Sequence, residues 1–340
     1  MAPDDPSPSL IASLQLARPQ SFCGEPVPMK QMEVKERFEK EFLLSLWDRP
    51  QVLLWLKRST RYLPIVEKLL QENGLPDDLK YVAIAESALR PHVRSRKGAV
   101  GFWQFMKGTG RRYGLTINRY MDERRSLVAS TQAAIRYFKD LHEEFGSWTL
   151  AAAAYNMGEK GLADEILEQQ TRDYYQLYLP LETQRFLFRI LSVKLILSEP
   201  ERFGFALKTS ETYPPLLSDK VTVTSRGNVP IRVVAQAAKT RFKVIKDFNP
   251  ELRGYHLGPG LHEIRVPKGA SEGFRKRYNR LLKESSRNRN KRGYVVRKGD
   301  NLSSIAEKFN VPLAALIIWN RIDPKRPIHP GDRIIVYPGK

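Results

Sequence analysis

Glu86 is the residue whose type and surroundings most plainly suit chemistry. It lies in Leu75-Pro-Asp-Asp-Leu-Lys-Tyr-Val-Ala-Ile-Ala-Glu-Ser87. Pro76 suits the first turn of a helix, and Asp77 and Asp78 favour the positive end of its dipole. Glu86 stands seven residues after Leu79 and four after Val82, on the same apolar stripe of that helix. A carboxyl in such a setting is desolvated, so its pKa rises towards the range a general acid needs near neutral pH. Periodicity alone leaves a second reading open, a buried glutamate paired with an arginine.

Further segments follow Glu86-Ser87 in order: Gly98-Ala-Val-Gly-Phe-Trp-Gln-Phe-Met106, Tyr113-Gly-Leu115, Ala153-Ala-Tyr-Asn-Met-Gly158 and Leu179-Pro-Leu-Glu-Thr183. Gln104 can both donate to and accept from an amide, and Tyr155 can hydrogen-bond or steer a carboxyl. Phe102, Trp103 and Phe105 offer apolar faces and read first as core. The elements that position these groups are helices. From Glu33 to about Ser198 apolar residues recur at three and four, as in Leu127, Val128, Ala134, Ile135, Phe138 and Leu141. Asn73-Gly74, Gly98, Gly108, Gly114, Gly146, Gly158 and Leu179-Pro180 divide them.

The chain has 340 residues and a formal charge of +20, from Lys+Arg 57 against Asp+Glu 37. At about 150 residues per domain, two or three domains are expected. The charge predicts an anionic partner: nucleic acid, anionic lipid or an acidic wall polymer. Apolar runs such as Val52–Leu56 fall far short of the roughly 20 residues that span a bilayer. One cysteine, Cys23, allows no intrachain disulfide. His92, His142, His256, His262 and His329 show no metal-ligand spacing, so neither a metal nor a cofactor is expected. The first residues lack a basic and then apolar segment. The expectation is therefore an intracellular protein or one whose export signal is missing from this sequence.

Residues 1–30 are rich in Pro and Ser and read as a poorly ordered lead-in. A helical extension continues to residue 54, and a compact all-α domain is expected at 55–205. After Glu199-Pro200 comes an ungapped repeat at an offset of 71 residues. Ala235 corresponds to Ala306, Phe248-Asn249 to Trp319-Asn320, Pro259-Gly260 to Pro330-Gly331 and Ile264 to Ile335. Each copy reads strand, helix, helix, strand, at 213–268 and 293–338. Residues 269–292 between them read as a basic, partly solvated linker. Because the charge is densest in that linker and lacks an interleaved aromatic platform, nucleic acid is not expected as a partner.

The second copy, from Tyr294-Val-Val-Arg-Lys-Gly-Asp-Asn-Leu to Pro330-Gly-Asp-Arg-Ile-Ile-Val336, closely resembles a LysM module. Gly299-Asp300 makes a turn, Asp300 or Asn301 can cap the next helix, and Pro330-Gly331 turns into the last strand. The resemblance implies a shallow N-acetylglucosamine groove from Gly299, Asp300, Asn301 and Leu302 beside Pro330 and Gly331. Trp319 and Asn320 read as residues that set the fold. The first copy has Asn228-Val229 at the Gly299-Asp300 position and resembles a degenerate module with a non-binding groove.

The ordered set from Glu86 to Thr183 resembles the catalytic domain of soluble lytic transglycosylases and goose-type lysozymes. With the appended LysM it is similar to the membrane-bound lytic murein transglycosylase D type. The implied fold is a mainly α, lysozyme-like catalytic domain followed by small α+β (βααβ) LysM modules. The implied activity is cleavage of the β-1,4 bond between N-acetylmuramic acid and N-acetylglucosamine, leaving 1,6-anhydromuramoyl ends. Glu86 matches the single acid/base, and Ser87, Gln104, Met106, Tyr155 and Asn156 match substrate-binding positions. Lys107 stands where Pro is usual, and Phe186 where an aromatic hydroxyl is usual. Implied partners are peptidoglycan strands and, through the basic linker, anionic wall polymers, with peripheral membrane association left open. The implied location is the periplasm or cell envelope. A non-catalytic peptidoglycan-binding scaffold and a lysozyme-type hydrolase are the competing readings.

Overall fold

A computed structural model describes residues 9–15, 19–291, 293–320, 322–323 and 327–337. The chain divides into two compact units. One comprises residues up to Leu217 together with Lys246–Gly254, and the other Ser218–Ile245 with Tyr255 onward. Among the described residues no single helix is long and apolar enough to cross a membrane.

The first unit is helical and is built around Leu181–Ser198. Thr183, Phe186, Leu187, Phe188, Ile190, Leu191 and Val193 are all buried, so this helix is covered on every side. It packs against Met32–Trp47, Lys80–Ser87 and Trp148–Met157. Trp148–Met157 presents Ala151, Ala152, Ala153 and Ala154, all buried, and side chains this small let two helix axes approach closely. Arg49–Glu72 and Leu127–Phe145 complete the bundle. Ser126 caps the latter by accepting from the Ala129 amide, and Gly146 in the left-handed region ends it.

The expected poorly ordered lead-in is corrected in part. Residues 1–8 and 16–18 lie outside the described residues, but Ser21–Phe22 and Glu25–Pro26 form a hairpin. Phe22 and Val27 are buried in the core. The Glu25 carboxylate accepts from the amides of Trp148 (2.5 Å) and Thr149 (3.0 Å), where the helix dipole favours a negative charge. The Cys23 amide donates to Asp78 Oδ2 at 2.7 Å, and Lys194 Nζ bridges Asp78 and the Ser21 carbonyl. Composition hides this because the anchors are two apolar side chains and one carboxylate in an otherwise breaker-rich stretch.

The second unit carries both repeats. In the first, Ser218–Ser225 pairs antiparallel with Gly260–Pro267 in the register Val221↔Ile264, and Ile231–Ala237 lies between them in sequence. In the second, Gly293–Val295 pairs antiparallel with Arg333–Ile335 around Leu302–Lys308 and Leu313–Asn320. Val296, Ile305, Ala306, Leu316, Ile334 and Val336 form its small core. Where a solvated linker is expected, residues Phe274–Lys291 are a helix. Phe274 and Tyr278, four residues apart, are buried, and the helix packs against Ile231–Ala237. The eight basic residues of this helix hide that two-residue apolar edge.

Candidate active site

Glu86 occupies the last turn of Lys80–Ser87. The helix stops there because Ala88 and Leu89 are both left-handed, with φ of 51° and 56°. Two such non-glycine residues in succession are costly, and surrounding bonds hold them. The Ala88 amide donates to the Ile84 carbonyl at 2.7 Å and Arg58 Nη1 to the Ala88 carbonyl at 3.1 Å. Glu86 itself keeps part of its surface open. Burial pushes its carboxyl up to about 8, with Arg189 pulling it down and Glu182 adding to the rise. The alternative of a simple Glu–Arg pair gives way here. Arg189 binds Glu182 Oε1 at 3.1 Å and lies 3.9 Å from Glu41 Oε2, leaving burial as the largest influence on Glu86.

The Gly98–Met106 loop runs beside this helix end. Ser87 Oγ donates to the carbonyls of Ala83 (3.0 Å) and Phe102 (2.8 Å) and is 2% exposed. Ser87 therefore holds the loop from inside, with its hydroxyl buried and bonded to two carbonyls. Gln104 has φ 47° and its Nε2 donates to the carbonyls of Gly101 (2.8 Å) and Val93 (3.3 Å). Its donor side is thus spent on the loop, leaving Oε1 as the group for a ligand. Met106 is exposed.

Tyr155 comes from Trp148–Met157 and donates to the Trp103 carbonyl at 2.6 Å. Burial first, and then the charge of Glu86, raise its pKa well above the usual value, so the phenol stays protonated. Its ring stacks on Phe138 at 4.6 Å and 3°. Asn156 Oδ1 accepts from Thr183 Oγ1 at 2.9 Å, which leaves the Asn156 amide hydrogens for a ligand. Phe102, Trp103 and Phe105 are core residues, with Trp103 Nε1 donating to Thr131 at 2.9 Å. Phe186 is fully buried.

The loop's underside rests on a group that spacing did not single out. Arg124 is buried and grips both oxygens of buried Asp122 at 2.9 Å. Its Nη1 donates to the carbonyls of Gly98 (3.2 Å) and Phe105 (3.1 Å). At Gly101, φ +89°, a Cβ would lie 1.8 Å from the Arg124 carbonyl oxygen, so the close approach admits glycine alone. Asp-Glu-Arg-Arg reads in sequence as a solvated charge run, and only its sequence position beside the turn signals could have marked it.

Glu159 shows the opposite setting to Glu86. Burial favours the neutral form, but its backbone amide, Arg112 and Tyr137 outweigh that and hold the carboxyl below its usual value. Tyr137 donates to it at 2.8 Å and Arg112 pairs with it. It stays ionised and has no proton to give. Among the described residues no three His, Cys, Asp or Glu side chains are grouped to hold a metal ion.

In the second repeat, the stretch after Gly293–Val295 is tied to the turn before Arg333–Ile335. The Gly331 amide donates to the Val296 carbonyl at 2.9 Å, and Val296 donates to Asp332 at 2.8 Å. Gly299 and Gly331 have φ of 92° and 97°. Asn301 caps Leu302–Lys308 by accepting from the Ser304 amide at 2.8 Å. Asp300 instead closes the turn, accepting from the Arg297 amide and Tyr294 hydroxyl at 2.7 Å each, which lowers its pKa.

A helical unit with one desolvated carboxyl at a helix end, followed by a strand–helix–helix–strand module, defines the class. Residues 64–178 match the transglycosylase SLT domain and residues 294–336 the LysM domain. The chain thus matches the SLT domain within its helical first unit and the LysM domain near its C-terminal end. It is 32% identical over 296 residues to the membrane-bound lytic murein transglycosylase D of Escherichia coli (strain K12). The match takes in 83% of this chain and 64% of that relative, so the chain spans a little under two thirds of the relative's length. The peptidoglycan transglycosylase gp16 of Escherichia phage T7 is 32% identical over 111 residues, 32% of this chain and 8% of that protein. Among solved structures, the soluble lytic transglycosylase SLT70 of Escherichia coli is 17% identical with a TM-score of 0.38. That match covers 56% of this chain and 32% of that one.

Proposed function

We propose that the chain is a peptidoglycan lytic transglycosylase with Glu86 as its single acid/base. The observation that carries this is the contrast between two carboxyls. Glu86 is pushed up to about 8 and holds a proton at neutral pH, whereas Glu159 is held ionised against Arg112 and Tyr137. Ordinary glycosidases use a second carboxyl as nucleophile or base. One suffices where the substrate supplies the nucleophile. Neutral Glu86 protonates the oxygen of the bond between N-acetylmuramic acid and N-acetylglucosamine, and the muramoyl C1–O bond breaks. Glu86, now a carboxylate, takes the proton of the muramoyl C6 hydroxyl, whose oxygen bonds to C1. The 1,6-anhydro ring closes and no water is consumed. A nucleophile in the same sugar ring gains a high effective molarity. Gln104 Oε1 and the Asn156 amide bind N-acetyl and hydroxyl groups, and exposed Met106 lines the entrance.

The relatives' names speak of murein and peptidoglycan, and LysM supports retention on the same polymer. In this reading residues 55–205 catalyse and 293–338 hold the wall through Gly299–Leu302 and Pro330-Gly331. The 213–268 copy binds sugar weakly or not at all. Basic residues of 269–292 add a salt-sensitive attraction to anionic wall polymers. The site of action is the periplasm or cell envelope, where murein lies.

Digestion of murein sacculi in heavy-oxygen water tests the reaction. Unlabelled 1,6-anhydro ends, lost in Glu86→Gln, are expected. Labelled reducing ends make the protein a hydrolase, and retention on murein without soluble products makes it a scaffold.

A further inference from the structure

The first unit takes in nine residues from far along the chain, Lys246–Gly254, drawn from within the first repeat. They lie along residues 118–122. The Asp122 amide donates to the Glu251 carbonyl at 2.8 Å, and the Arg253 amide to the Tyr120 carbonyl at 2.7 Å. Met121 and Leu252 form an antiparallel bridge, and Leu252 is buried. Arg253 Nη1 donates to the Asn118 carbonyl at 2.9 Å. Within the segment, which is the end of the helix Phe242–Phe248 and the turn after it, Lys246 Nζ ties back to the carbonyls of Leu252 and Gly254 and holds the turn in shape.

We infer that Lys246–Gly254 positions the catalytic loop, with Arg253 as its side-chain anchor. The residue it fixes is Asp122. Asp122 holds Arg124, Arg124 holds the carbonyls at both ends of the Gly98–Phe105 stretch, and the carbonyls of Phe102 and Trp103 hold Ser87 and Tyr155 beside Glu86. Each link ends on a backbone carbonyl or on the buried Asp122–Arg124 pair, so a displacement at 118–122 is passed to the loop backbone. The reason to expect a kinetic effect is that small misplacements of catalytic groups are expensive in rate. Arg253 touches neither substrate nor Glu86; it holds the Asn118 and Tyr120 carbonyls and acts through the 118–122 stretch on Asp122 and Arg124.

This inference rests on the proposed transglycosylase activity, so the test carries both. Full-length parent, Arg253→Ala, Arg253→Lys and Glu86→Gln are assayed on purified glycan strands, with kcat, KM, pH profile and thermal melting for each. Arg253→Ala is expected to lower kcat about 5- to 10-fold with KM within about twofold. Its alkaline limb should move to lower pH, as water reaching Glu86 eases the desolvation. Arg253→Lys, which keeps the charge and one donor, should recover part of the loss. An unchanged kcat, or a loss matching the unfolded fraction seen by melting, overturns the positioning role. If the parent is active, Glu86→Gln is inactive and Arg253→Ala equals the parent, this inference alone fails. An inactive parent, or Glu86→Gln equal to it, overturns the proposed activity and this inference together.

Discussion

Tyr155 donates its hydroxyl to the Trp103 carbonyl at 2.6 Å, not to the Glu86 carboxyl whose charge it feels. The bond ties the Trp148–Met157 helix to the Gly98–Met106 loop, and the Phe138 ring stacked on Tyr155 fixes its direction. Glu86 accordingly gains no hydrogen bond from Tyr155, and burial remains the largest influence on its carboxyl. That arrangement keeps its proton on.

Removing the donor alone tests this. Tyr155→Phe keeps the stack and leaves the Trp103 carbonyl without that partner, a loss of about 1–3 kcal/mol for a buried acceptor. Chemical denaturation should show that loss, and turnover should fall about tenfold as the loop loosens. Unchanged stability would mean that the bond contributes nothing in solution.

The raised pKa of Glu86 has a signature in stability as well as rate. Its folded value, about 8, exceeds the ordinary 4.5. The folded state therefore holds a proton between those values that the unfolded chain releases, and stability declines as pH rises from 4.5 to 8. Glu86→Gln removes that dependence. Its melting temperature should match the parent near pH 4.5 and exceed it increasingly up to pH 8. Activity of the parent should fall through the same upper value, because the neutral acid is needed first.

Two glycines of one loop separate backbone strain from collision. Gly98 and Gly101 both have φ near +90°, but a Cβ at Gly98 meets nothing within 4 Å whereas one at Gly101 meets Arg124 O at 1.8 Å. Gly98→Ala should cost about 1–2 kcal/mol, the penalty of the left-handed region. Gly101→Ala should cost more than about 4 kcal/mol, or prevent folding, since backbone must move. Equal losses in urea titrations would refute the collision.

In the LysM domain, Asn320 acts as a two-way clamp. Its Nδ2 donates to the carbonyls of Leu316 (2.9 Å) and Ile335 (2.8 Å), and its Oδ1 accepts from the Ile335 amide at 2.6 Å. Asn320→Ala should destabilise the domain by about 2–3 kcal/mol through unsatisfied strand groups. Murein retention should drop only at temperatures where the domain melts. Weakened retention by fully folded variant would instead make Asn320 a sugar contact.

The local pattern determined which faces are buried. The stripe through Leu79 and Val82 placed Glu86 against apolar surroundings, the three–four spacing gave a helical first unit, and the 71-residue offset gave two strand–helix–helix–strand copies. Such features are legible because helix and strand periods depend only on near neighbours. The tertiary structure decided where the polar groups went. Ser87, Gln104 and Tyr155 bond to backbone carbonyls of the loop, three to 52 residues away in the case of Gln104 and Tyr155. Arg124, Glu25 and Arg253 gained their roles from partners up to 135 residues distant. Every residue carries a carbonyl acceptor, so a donor's choice among them leaves no trace in residue type. Only the folded path of the chain selects it.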